Sequence, residues 1–133
     1  PGIRAGFAVA TGQFQQRLAT ARRPWTVGTP ALQVGTYCLD QHEFVDATRR
    51  RVQSERERMR EALSKQFDVH PSAAPFLLCD VGDSDVDTIL ATAEKRGIAV
   101  RDARTFRGLD SHIRVAVRLP EENDRLLAVI DDV

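Results

Sequence analysis

The sequence predicts an α/β fold of the α+β kind: a small sheet covered by helices and fed by one long connecting helix. Three observations carry this reading. From Gln41 to Gln66 an amphipathic pattern runs far longer than any strand, with Val45, Val52 and Met59 at sevenfold spacing and Ala62 and Leu63 continuing the stripe. Phe76-Leu77-Leu78-Cys79-Asp80-Val81 is a short apolar run bounded by turn residues, the mark of a buried strand. Ile113 to Val117 alternates, so that Ile113, Val115 and Val117 face a core while Arg114, Ala116 and Arg118 share the other side.

The remaining elements follow in order. Ile3 to Ala10 suits a short strand with small residues at Gly2, Ala5 and Gly6. Gln13 to Ala21 repeats Phe14, Leu18 and Ala21 at helical spacing, and Arg22-Arg23-Pro24 ends that helix because the residue before proline is pushed out of helical geometry. Trp25 to Pro30 is a turn-rich connector. Pro30 opens a second helix whose Leu32, Val34, Tyr37, Cys38 and Leu39 are apolar enough to be mostly buried. Phe67 to His70 reads as a brief strand and Pro71 to Pro75 as a loop. Asp83 or Ser84 caps a helix turning Val86, Ile89, Leu90 and Ala93 inward, and Gly97 stops it. Ile98 to Arg101 is a strand, Phe106 to Asp110 a turn, and Leu119-Pro120 starts a last helix carrying Leu126, Leu127 and Ile130.

Composition excludes some functions. In 133 residues, 19 basic side chains balance 19 acidic ones, so nothing favours nucleic acid as a partner. The arginines of the long helix are spaced to pair locally, Glu55 with Arg58 and Glu57 with Arg60, which describes a solvated surface rather than an RNA or membrane patch. No apolar stretch reaches the length of a membrane span, and the expected setting is cytoplasmic. Cys38 and Cys79 have no metal-ligand spacing to His42, His70 or His112 and read as small core hydrophobes in a reducing compartment. The chain opens at Pro1-Gly2 without methionine and runs straight into a strand-like segment, which reads as a piece cut from a longer protein.

Glycine-rich phosphate loops and the usual catalytic motifs are missing from the sequence. What remains is arginine in extended segments, where a permanently charged planar fork meets carboxylate or phosphate in bidentate fashion. Arg4 stands between Gly2 and Gly6, which leave room for a ligand. Arg101 ends a strand just before a turn. Arg114 shares its face with the small Ala116. The plainer reading of each is an exposed strand arginine, with Asp102 as a local partner for Arg101.

Taken together, these segments resemble the end of a fold-type I pyridoxal-phosphate enzyme, in the group of threonine-phosphate decarboxylase and histidinol-phosphate aminotransferase. Pro1-Gly2-Ile3-Arg4-Ala5-Gly6 is similar to the family's P-G-[LI]-R-x-G segment and Pro24-Trp25-Thr26-Val27 to its P-W-[ST]-V connector. Gly97-Ile98-Ala99-Val100-Arg101 resembles the G-[IV]-x-[IV]-R strand, and Gly108-Leu109-Asp110-Ser111 with Ile113-Arg114-Val115 the G-L-[DE]-x…[IL]-R-[IV] region. Ala74-Pro75 departs from the alanine-asparagine that relatives carry before the buried strand.

The resemblance implies the C-terminal part of a pyridoxal-phosphate-dependent transferase fold. Residues 1–30 would end the large cofactor-binding domain, 31–66 would be connecting helices and 67–133 the C-terminal small domain. It implies pyridoxal 5'-phosphate as cofactor of the full-length protein, with Arg4 on the cofactor phosphate. Arg114 would grip the carboxylate and Arg101 the distal phosphate of a phosphorylated amino acid, the guanidinium groups converging on a cleft. The cofactor-bearing lysine would precede Pro1, so the segment alone is expected to be inactive. The full-length form is expected to be a homodimer, with neither nucleic acid nor membrane as partner. The Pro-Trp-Thr-Val and Gly-Leu-Asp-Ser runs tilt the reading towards the decarboxylase, which releases carbon dioxide from L-threonine O-3-phosphate to give aminopropanol phosphate for cobalamin assembly. The aminotransferase is the alternative. Two other classes stay open: a non-catalytic α/β module binding phosphorylated metabolites, and a structural dimerisation domain using Pro30 to Leu39.

Overall fold

The computed structural model describes residues 6, 8–23 and 26–132. The chain divides into two compact units, Pro1–Val45 and Asp46–Val133. The first holds helix α1 (Gly12–Ala21), helix α2 (Thr29–Leu39) and the start of helix α3 (His42–Leu63). Half of the strand expected over Ile3 to Ala10 lies outside the described residues, and residues 6 and 8–10 have no regular structure. Pro30 does open α2. The expected burial of α2 does not occur: none of its residues is buried, Leu32, Tyr37 and Leu39 are well exposed, and Cys38 is exposed with them. An apolar stripe states that a helix needs cover, but not which surface supplies it.

The second unit is the expected small sheet covered by helices. Its strands are β1 (Asp68–Val69), β2 (Phe76–Asp80), β3 (Arg101–Asp102) and β4 (His112–Ala116), in the order β1-β2-β4-β3. Every pairing is antiparallel. Helix α4 (Val86–Lys95) links β2 to β3, and helix α5 (Pro120–Asp131) follows β4. One face of the sheet carries Leu77, Cys79, Ile113 and Val115, which pack with Met59 and Leu63 of α3, Val86 and Ile89 of α4, and Leu126 and Ile130 of α5. Burial pushes the Cys79 thiol up to about 12, so it behaves as the expected inert core group.

Four details differ from expectation. Strand β2 is not buried on both faces: Leu77 and Cys79 are fully covered while Phe76 is 37% exposed. The cap of α4 is Asp85, not Asp83 or Ser84. Its carboxylate accepts from the Asp87 and Thr88 amides at 3.2 and 3.1 Å and from the Thr88 hydroxyl at 2.6 Å. The third strand begins at Arg101, because Gly97, at a φ of +72°, and Ile98 are still closing the helix, the Ile98 amide donating to the Ala93 carbonyl at 2.9 Å.

The fourth difference is Glu55. Its pairing with Arg58 occurs, at 2.7 Å, but the carboxylate is buried rather than solvated. It also accepts from Asn123 Nδ2 at 2.8 Å, and Asn123 Oδ1 takes the Arg118 amide at 2.9 Å. This polar clamp ties α3 and α5 to the end of β4.

Candidate functional site

Arg114 is held in its direction by its neighbours. Ile113 and Val115 are sealed in the core, so the alternation of β4 sends Arg114 to the opposite, open face together with Ala116. Arg101 is the register partner of Arg114 on β3, so the two guanidinium groups start from directly opposed positions on that face. Opposed Cβ atoms in such a pair lie about 4.5–5.5 Å apart. The structure therefore brings two of the three expected arginines together. Arg4 lies outside the described residues.

Asp102, the plainer partner for Arg101, is occupied elsewhere. It accepts from the Arg104 amide at 2.8 Å and from Arg104 Nη2 at 2.9 Å, and Arg104 also pairs with Asp87. The Arg104 guanidinium holds the Asp102 carboxyl below the usual carboxylate range. Among the described residues Arg101 and Arg114 form no ion pair. Other exposed arginines share that condition; direct opposition on one face is what sets this pair apart.

Like charges facing each other across a sheet cost about 0.2–1 kcal/mol. The sequence reading missed the group that offsets this. The Phe76 ring on β2 lies under Arg114, with Cζ 5.1 Å from the ring centroid, a cation–π contact worth about 0.5–1 kcal/mol at an exposed site. The two terms are of similar size, so the arginines can remain side by side without a carboxylate. An anion bridging them would turn repulsion into charge-assisted hydrogen bonds.

Beyond Arg114 on the same face stands a second polar cluster. Asp80 and His112 are register partners, and Nε2 of His70, just after β1, lies 3.0 Å from Nε2 of His112 with nearly parallel rings. One ring nitrogen donates and the other accepts. Asp80 Oδ1 accepts from the Ser111 hydroxyl at 2.6 Å and from the Gly82 amide at 3.0 Å, and these bonds hold its carboxyl below the ordinary value. Its other oxygen lies 4.0 Å from His112 Nε2. No linear spacing announces this cluster, because His70 and His112 are 42 residues apart.

Within this unit the face is open. A cavity of about 300 Å³ in this unit is lined by Gly97 to Val100, Arg118, Glu122, Arg125 and Leu126 among others, and neither Arg101 nor Arg114 contributes to it. Lys65 and Lys95 are exposed, in the turn after α3 and the last turn of α4. The described residues thus offer handles for anionic substituents, and the group expected on the cofactor phosphate, Arg4, lies outside them. Among the described residues no three side chains of the metal-binding types converge on one point. Among the described residues no helix is long and apolar enough to cross a membrane.

Residues 1–130 match the model of the aminotransferase class I and II family. Histidinol-phosphate aminotransferase 1 of Archaeoglobus fulgidus is 34% identical over 131 residues, which is 98% of this chain and 40% of that protein. Histidinol-phosphate aminotransferase of Roseiflexus castenholzii is 34% identical over 137 residues, 99% of this chain and 37% of that one. The crystal structure of L-threonine-O-3-phosphate decarboxylase from Porphyromonas gingivalis superposes with a TM-score of 0.81 at 26% identity, over 93% of this chain and 39% of that one. The chain spans about two fifths of the length of these relatives. A family match over nearly every residue leads to one conclusion: the chain belongs to the aminotransferase class I and II family.

Proposed function

We propose that this chain is the substrate-gripping part of a pyridoxal-phosphate-dependent enzyme acting on a phosphorylated amino acid. The observation that carries the reading is the register pairing of Arg101 with Arg114 on an open sheet face. Arg114, on the central strand, takes the substrate carboxylate in bidentate fashion, and Arg101, on the edge strand, takes the distal phosphate. Using both anionic ends as handles, the pair orients the bond that is to break. Arg4 would hold the cofactor phosphate; the cofactor, when bound, supplies the electron sink for cleavage or proton removal at the amino-bearing carbon. Residues 1–30 then close the large cofactor-binding domain, 31–66 connect, and 67–133 form the small domain of a cytoplasmic homodimer.

The favoured reaction is release of carbon dioxide from L-threonine O-3-phosphate, giving the aminopropanol phosphate used in cobalamin assembly. The Pro24-Trp25-Thr26-Val27 and Gly108-Leu109-Asp110-Ser111 runs and the likeness to the Porphyromonas gingivalis decarboxylase support it. Transamination of histidinol phosphate is the second reading, favoured by the relatives from Archaeoglobus and Roseiflexus; histidinol phosphate is an amino alcohol, so in that reaction the carboxylate on Arg114 is that of the 2-oxo acid. The complete protein, loaded with pyridoxal phosphate, separates the two: carbon dioxide release from L-threonine O-3-phosphate supports the first, and amino transfer from histidinol phosphate to a 2-oxo acid the second. If neither reaction proceeds, or if Arg114→Gln leaves the KM for L-threonine O-3-phosphate or for the 2-oxo acid, whichever the active reaction uses, unchanged, the reading fails.

A further inference from the structure

We propose that Phe76 is a positioning residue for Arg114, and that it sets how tightly the substrate carboxylate is gripped; the inference rests on the role proposed above for Arg114. Phe76 sits on the open face of β2, opposite Ala116 and diagonal to Arg114. Because Ala116 carries only a methyl group, the Phe76 ring has no bulky cross-strand neighbour and lies across towards the arginine, Cζ standing 5.1 Å from its centroid. Packing does not explain the ring. It is 37% exposed, while its neighbour Leu77 fills the core.

The backbone beneath the ring is pinned. The Ser72 hydroxyl donates to the Phe76 carbonyl at 2.7 Å and accepts from the Ala74 amide at 3.1 Å, and the Val117 amide donates to the Pro75 carbonyl at 3.0 Å. A ring on so fixed a support gives the guanidinium one preferred seat. A cation–π contact engages the charge through the ring face and does not itself consume an N–H donor that a carboxylate needs. It also counters the push from Arg101, which would otherwise swing Arg114 away from its partner.

The test is a double-mutant cycle on the complete protein, reading the KM of the carboxylate-bearing substrate: L-threonine O-3-phosphate if the protein decarboxylates it, or the 2-oxo acid if it transaminates histidinol phosphate. Phe76→Leu keeps the apolar bulk and removes the ring; it should raise KM about 3- to 10-fold with kcat within about twofold. Phe76→Tyr, which restores a ring, should return KM to near the starting value. In an Arg114→Gln background Phe76→Leu should change KM no further, because the arginine it positions is gone. Phe76→Met serves in place of Leu if the leucine variant is not folded by circular dichroism. Equal KM effects of Phe76→Leu with and without Arg114, or no recovery with tyrosine, would overturn the proposal while leaving Arg114 in place as a handle. An unchanged KM in Arg114→Gln alone would instead remove the underlying site.

Discussion

The two faces of the four-stranded sheet are built from alternate residues of the same strands, yet they follow different rules. One face is apolar and sealed: Leu77, Cys79, Ile113 and Val115 lie under three helices with almost no exposure. The other, one residue out of phase, carries Asp80, His112, Arg114 and the exposed Phe76 ring, charged or aromatic groups that contact one another across the strands. Stability resides in the first face, and the recognition chemistry proposed above falls to the second. Because side chains alternate with a period of two, a change at one position loads one function and spares the other.

Adjacent leucines give the largest contrast. Leu77→Ala opens a cavity under the helices and should cost about 2–5 kcal/mol of unfolding free energy in urea. Leu78→Ala, on the half-covered open side, should cost less than about half of that. Equal losses would mean that the open face is covered.

The Glu55 clamp comes next. Glu55→Ala removes one of the two acceptors of Asn123 Nδ2, the Arg118 carbonyl at 3.2 Å remaining, and takes the carboxylate from Arg58, and should cost about 1–3 kcal/mol. The Glu55 carboxyl is held below its ordinary value of 4.5, first by the Arg58 bond and then by Asn123. A lowered carboxyl stabilises the fold above that ordinary value and ceases to do so as pH falls through the folded one. Urea midpoints should therefore change little from pH 7 to about 5 on this account and fall below 4.5, with a shallower fall in Glu55→Gln.

On the open face the expected stability effects are small. His70→Ala removes one imidazole–imidazole hydrogen bond and should cost about 0.5–1.5 kcal/mol, with the remaining His112 ring signal shifting in the NMR spectrum. Arg114→Gln should change stability by less than about 0.5 kcal/mol while raising the KM of the complete enzyme by two orders of magnitude or more. A large stability loss at Arg114 would place it on the structural side of the comparison.

The same division explains what could be read from sequence. Helices α3, α4 and α5 and strand β4 are legible because one polar face against one apolar face leaves a period in the letters, and Arg114 is legible because it interrupts apolar alternation. Strand β2 misleads because Phe76 and Leu78 are themselves apolar, so Phe-Leu-Leu-Cys hides which side is covered. Asp83, Ser84 and Asp85 are all competent caps, and only the path of the turn selects Asp85. The His70–His112 pair, the Glu55–Asn123 bond and the ring under Arg114 join residues 42, 68 and 38 positions apart, and each depends on a sheet order that no local pattern encodes. The register that sets Arg101 opposite Arg114 belongs to the same class.

Strand order also gives the two arginines unequal mechanics. Arg114 rides on β4, laced to a neighbour on both sides, whereas Arg101 rides on a two-residue strand at the margin of the sheet. Backbone bonded on one side only opens at lower free energy, so amide exchange should be slow along β4 and fast at Arg101. In the proposed role, one grip is then a fixed post and the other a hinged arm, a pairing that would register one end of a ligand firmly while meeting ligands of different length at the other.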